Sequence, residues 1–151
     1  DSHVAEYWKH VNAWLGVVEK HFKDPDNAGY YFTSDDHEKL LCRPKTLFDQ
    51  AIPSGTALIV QAQMIAAEAN TDLDLEAKAL DQLHSLAPAL LENPFGMGEL
   101  SCAALLFYVA PAVVSGIGSE KICKDAHVFR KAGTTKEILI CQNKTCKPFT
   151  K

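Results

Sequence analysis

Long apolar runs are missing from this chain. No stretch of about 18 apolar residues occurs in the 151 residues, so no helical membrane span is expected. A basic excess is missing too. The 15 Lys and Arg are outnumbered by 19 Asp and Glu, giving a formal net charge of -4 and a pI near 5.8. Nucleic acid and anionic membrane surfaces both call for a basic footprint, so neither is expected as a partner. No charged-then-apolar leader opens the chain. It starts at Asp1 without a methionine, which points to a chain processed or cut from something longer. Phosphate loops, HExxH, GxSxG and GxGxxG patterns are all absent. The 6 histidines have no metal-ligand spacing, so no metal and no cofactor is expected. Cysteines number 5, an odd count spread without a secreted disulfide framework. Thiols in that pattern suit a reducing compartment, and the expected location is cytoplasmic. Cys102 lies in an apolar run and reads as a small core residue. The Asn143-Lys144-Thr145 triplet matches a glycosylation acceptor but means little without a secretory route.

What is present is enough apolar material for a core, 47% hydrophobic against 23% charged, in a chain of single-domain length. From Ser2 to about Phe22 the apolar residues Val4, Tyr7, Trp8, Val11, Trp14, Leu15, Val18 and Phe22 recur at steps of three and four. That is one helical face. Ser2 can cap it, and Asp24-Pro25 should stop it. The stretch "GYYFTSDDHEKLLCR", 29–43, changes period and predicts a small β-hairpin, with a short helix over 34–40 as the alternative. Ser54–Asn70 predicts a second helix, capped by Ser54 or Thr56 and buried on most sides. Thr71–Asn93 predicts a third, with a stripe of Leu80, Leu83, Ala87, Leu90 and Leu91 and a kink or break at Pro88. Gly98–Pro111 predicts a fourth, apolar nearly all round. Beyond Pro111, "AVVSGI" and "EILICQ" are short β-like runs that could pair, while 118–133 is ambiguous. The expectation is one mainly α domain over 1–151, with a helical body at 1–110 and a small β-containing tail at 111–151.

Two clusters could carry chemistry. Cys141 and Cys146 follow a predicted strand with four residues between them. That spacing exceeds the redox CxxC and completes no zinc tetrad, leaving either a local disulfide, a possible redox pair, or two structural thiols. The other cluster is "LLCRPKTLFDQAIPSG", 40–55, which holds Arg43, Asp49 and Ser54 ahead of a helix N-terminus. A carboxylate, a guanidinium and free helix N–H groups would suit a polar ligand such as a sugar. Equally, Arg43 and Asp49 could pair with each other and pin a long loop.

The residues Gly29-Tyr30-Tyr31-Phe32, Asp35-Asp36, Leu40-Leu41-Cys42-Arg43-Pro44-Lys45 and Phe48-Asp49-Gln50-Ala51-Ile52-Pro53-Ser54-Gly55 carry a resemblance. In order and spacing they resemble the C-terminal half of the YyaL-like, spermatogenesis-associated protein 20-like family, whose members begin with a thioredoxin-like domain. The ending "EILICQNKTCKP" is similar to that family's last strand with its two cysteines. The resemblance implies helical hairpins from an incomplete six-hairpin (α/α) toroid, related to N-acylglucosamine 2-epimerase and to glycoside hydrolases. It implies a carbohydrate-binding or carbohydrate-processing role, with Arg43, Asp49 and Ser54, together with Asp36 and Tyr31, as substrate-binding residues and no assigned catalytic residue. His37 is the nearest candidate acid or base, in a loop where a histidine is usually solvated. Thr56 and Gln50 replace the family's Asn and Gly, and the thioredoxin-like part is absent. The alternative is a non-catalytic helical interaction module. Its first helix, rich in exposed-face aromatics, would drive self-association or packing against missing parent domains.

Overall fold

The computed structural model describes residues 2–109, 112–115, 128–131, 139–142 and 145–148. The chain is mainly helical and divides into two compact units, 2–105 and 106–151. In the first, α1 (Ser2–His21), α2 (Gly55–Asn70) and α3 (Leu73–Glu92) are followed by a single 3₁₀ turn (Pro94–Met97) and the start of α4 (Gly98–Val109). No helix among the described residues is long and apolar enough to cross a membrane.

Local chemistry sets the helix limits. Ser54 caps α2, its hydroxyl accepting from the Ala57 N–H at 3.1 Å. Asp72 caps α3 in the same way, accepting from the Leu75 N–H at 3.0 Å. Between them Thr71 takes a left-handed φ of 58° and ends α2, its N–H turning back to the Glu68 carbonyl. Thr56 is not the cap of α2; its hydroxyl accepts from the Tyr30 N–H at 3.1 Å instead.

The core lies between α2 and α3, which pack on each other, with α1 against α2. Val60, Met64, Ala66 and Ala67 of α2 are buried, as are Ala79, Leu83 and Leu86 of α3 and Met97, Leu100 and Ala103 beyond it. The expected stripe on α3 is therefore shifted. Ala79, Leu83 and Leu86 define it, and Leu91 is 82% exposed. At 3.6 residues per turn Leu91 falls roughly 110° round the helix from the middle of that stripe, outside its width. Pro88 neither divides nor ends α3, which continues to Glu92. Cys102 is exposed rather than in the core, because α4 turns Leu100 and Ala103 inward and leaves Leu105 and Tyr108 outward.

The hairpin expected at 29–43 does not form, and neither does the alternative helix over 34–40. The backbone donors of this stretch find partners elsewhere. The Tyr31 N–H donates to the Phe22 carbonyl at 2.8 Å, Asp35 to His21 at 2.9 Å, and Phe32 to Pro44 at 2.9 Å. Residues 33–43 thus leave and return at nearly one point, an Ω-type loop closed at its neck. A single β-bridge, Lys23 to Tyr30, is all the extended pairing present there.

Among the described residues of the second unit, four strands form one sheet: β1 (Ala112–Ser115), β2 (Val128–Lys131), β3 (Leu139–Gln142) and β4 (Thr145–Pro148), in the order β2-β1-β3-β4. β1 runs parallel to β2 and antiparallel to β3, and β3 and β4 form an antiparallel hairpin. The rest of the ambiguous 118–133 stretch, with Cys123, lies outside the described residues, as does Asn143.

Candidate functional site

Asp24 is where the loop region is first fastened. Directly after α1, its buried carboxylate accepts from the backbone N–H groups of Asp26 and Asn27, at 3.0 and 3.2 Å. Lys45 reaches across to the same carboxylate and also donates to the Ala28 carbonyl at 2.9 Å. The Lys45 ammonium holds the Asp24 carboxyl well below the usual carboxylate range against the opposing effect of burial, helped by the two backbone N–H groups. The turn ends at Gly29, whose φ of +97° suits glycine and whose N–H donates to the buried Gln82 of α3 at 2.8 Å.

Arg43 sits at the C-terminal end of α1. Its guanidinium donates to the His21 carbonyl at 2.9 Å and to the Thr33 carbonyl, and lies 4.2 Å above the centre of the Tyr31 ring. Lys45 approaches the same ring at 5.7 Å. A guanidinium fork matches this duty: it meets the free carbonyls of a helix end and closes the neck of the loop at once. Burial, and after it a hydrogen bond to Asp24, pushes the Tyr31 phenol up, while Arg43 pulls it down.

Asp49 works at the opposite kind of helix end. One oxygen accepts from the Ser54 N–H at 2.8 Å, at the start of α2. The other accepts from the Glu99 N–H at 2.8 Å, in the first turn of α4. Its own N–H donates to the Gly96 carbonyl at 2.7 Å. One carboxylate thereby serves the positive ends of two helices. Among the described residues no ion pair joins Arg43 to Asp49. Both pin the loop, as one of the two sequence readings had it, but through backbone groups and not through each other.

The five sequence-selected residues fall into separate small groups. Tyr31 and Arg43 stack; Asp49 and Ser54 share a hydrogen bond; Asp36 is exposed beside His21, 3.7 Å from its Nδ1. His37 is exposed in the same loop. Cys141 and Cys146 lie directly opposite each other in the β3–β4 register.

Two groupings escaped the sequence. His21, Asp35 and Asp36 bring three ligand-type atoms within 4.8 Å, with His21 Nδ1 2.6 Å from Asp35. Histidine spacing alone could not reveal a set split between a helix end and a loop. Of the two carboxylates, Asp36 already has a Ser34 hydrogen bond and the Lys20 charge to hold it ionised, and that positive charge opposes a further cation. The second grouping is a polar knot between α1 and α2. Glu19 accepts from the Tyr30 hydroxyl at 2.5 Å, from Gln63 at 2.9 Å and from Lys23 at 3.1 Å. Burial pushes the Glu19 carboxyl up, but the Tyr30, Lys23 and Gln63 hydrogen bonds outweigh it and hold it below its ordinary value. The Tyr30 phenol is driven up by burial and by the Glu19 charge. A fully buried glutamine inside the apolar run of α2 was the available signal for this knot.

Comparison with known proteins gives no match: no family model, no curated protein and no solved structure corresponds to the chain.

Proposed function

We propose that this chain is a non-catalytic helical interaction module, which packs through α1 against a second copy or against the rest of a longer protein. The observation that carries the reading is the uncovered apolar flank of α1. Leu15 is buried, and Trp8, Val11 and Val18 beside it are half-covered, yet Tyr7 and Trp14 are 70% and 69% exposed and Val17 is exposed with them. Apolar residues thus occupy about half the helix circumference, wider than the stripe of about 100° that a single packed face needs. Tryptophan and tyrosine are the residues that dominate buried contact surfaces. Sedimentation velocity across the micromolar range tests it. Wild type should show a concentration-dependent rise in sedimentation coefficient, and Trp14→Glu should abolish that rise while leaving helicity intact. A wild type that sediments as a monomer throughout rules out the second copy and leaves a partner from a longer protein.

A sugar-binding role is the second reading, and the resemblance to the YyaL-like toroid supports it. Arg43, Asp49 and Ser54 have their polar atoms engaged by backbone, so the role would rest on Asp36 and on the exposed Phe32 of the same loop. Calorimetric titration with N-acetylated hexosamines tests it. Heat of binding that Asp36→Asn removes supports the role, and no heat at millimolar sugar rejects it.

A further inference from the structure

The register of the C-terminal hairpin gives the two cysteines a definite relation. β3 and β4 are separated by two residues, and their pairs are Gln142 with Thr145, Cys141 with Cys146, Ile140 with Lys147 and Leu139 with Pro148. Antiparallel pairs alternate between hydrogen-bonded and non-hydrogen-bonded positions. Proline has no N–H to give, so the Leu139–Pro148 pair belongs at a non-hydrogen-bonded position. Counting two pairs along, Cys141–Cys146 is of the same class. At such pairs the Cα atoms lie about 4.5 Å apart and the side chains start from the same face of the sheet. A disulfide needs Cα atoms about 4.4–6.8 Å apart. The backbone therefore already meets the distance requirement, and no strand has to slide. Among the described residues β4 is also the edge of the sheet, paired on one side only.

We propose that Cys141 and Cys146 are a reversible cross-strand disulfide site, closed by thiol–disulfide exchange with a low-molecular-weight disulfide such as oxidised glutathione. One cysteine thiolate attacks the small disulfide, forms a mixed disulfide and releases one small thiol. The second thiolate attacks the protein sulfur of that mixed disulfide and releases the other. Two protein S–H bonds are lost and one S–S bond forms, while the small disulfide is reduced to two thiols, so protons and electrons balance. The register favours the second step, because the resolving cysteine is already opposite. The ring that closes is short, which puts its entropic stabilisation at the small end of the range for disulfides. Formation and reduction should follow the surrounding thiol–disulfide ratio, as expected of a switch and not of a permanent staple.

The test uses the full chain treated with oxidised glutathione. Read on the segment 137–151, wild type should lose both free thiols and the mass of two hydrogen atoms with no glutathione retained there. Cys42 and Cys102, exposed and free, provide the internal comparison. Lys144 lies between the two cysteines, so trypsin without reductant should release segments 137–144 and 145–151 joined to each other, and reductant should part them. Cys146→Ser should instead retain one glutathione at Cys141, since nothing opposite can displace it. The proposal is overturned if wild type keeps glutathione on Cys141 as the variant does, if Cys141 or Cys146 is found linked to Cys42, Cys102 or Cys123, or if both thiols stay reactive to alkylation after treatment.

Discussion

Asp49 accepts from the starts of two helices, so its loss should be felt as stability rather than as lost binding. Removing a helix cap costs about 0.5–2 kcal/mol, and here two are lost together. Asp49→Ala is expected to destabilise the chain by about 2–3 kcal/mol, read as a lower urea midpoint at unchanged slope. Asp49→Asn keeps one acceptor oxygen and should lose about half of that. A variant that leaves the midpoint in place would show that the bonds to Ser54 and Glu99 contribute nothing. Lys45 has a different signature, because its effect depends on the charge of Asp24. The folded-state pKa of Asp24 is depressed, so the stabilisation by Lys45 is fully present above the unfolded carboxyl value of about 3.9 and is lost as pH falls below it. Lys45→Met should therefore be clearly less stable than wild type near neutral pH, and the gap should close progressively below about pH 4. Parallel denaturation curves at both pH values would show that the pair is not the source. None of these partnerships was legible in the sequence. Ser54 was recognisable as a helix cap, and Arg43 and Asp49 only as polar residues gathered before that helix. Whether they meet a ligand or a backbone depends on carbonyls and N–H groups at His21, Thr33 and Glu99, and those carry no side-chain signature.

Helix periodicity survives in the folded chain wherever a helix has one apolar face to bury. α1 stops where Asp24-Pro25 required, and α2 begins behind Ser54. The loop between them departs from the expected hairpin because the aromatic run at Tyr30 to Phe32 favours a strand only where a ladder can form, whereas the donors at Tyr31, Phe32 and Asp35 turn to the end of α1 and to Pro44. The same limit applies to α3. Pro88 suggested a break, yet packing of Ala79, Leu83 and Leu86 on α2 carries the helix through it. Proline inside a helix lacks the N–H that would reach the carbonyl four residues back, here that of His84. Pro88 is exposed, so no core contact depends on its ring. Pro88→Ala is expected to stabilise the chain by about 1–3 kcal/mol, seen as a raised thermal midpoint with slightly greater helicity. An unchanged or lowered midpoint would mean that the helix needs the bend a proline gives it.

At the scale of the whole chain, a mainly helical unit and a small sheet are each accounted for by their own residues, but the surface of the helical unit is not. Tyr7, Trp14 and Val17 on α1 and Leu105 on α4 are large apolar side chains left in water. Scattered exposed apolar residues are ordinary; two aromatics on one flank of one helix, next to its buried seam, are a continuous surface. The toroid resemblance would cover that flank with helices of a longer protein, and a second copy would cover it with the same helix. Both give Trp14 a new environment, while Trp8 is already half-buried in the isolated chain. Intrinsic fluorescence separates the two tryptophans through Trp14→Phe, which leaves Trp8 as the single emitter. If the chain self-associates, wild-type emission should shift to shorter wavelength as concentration rises through the micromolar range, and the Trp14→Phe spectrum should move much less. A wild-type spectrum that stays fixed and water-like at every concentration would assign the flank to a partner other than this chain. Equal shifts in both proteins would place the contact at Trp8, against the inner seam, and would remove the outer flank of α1 from the argument.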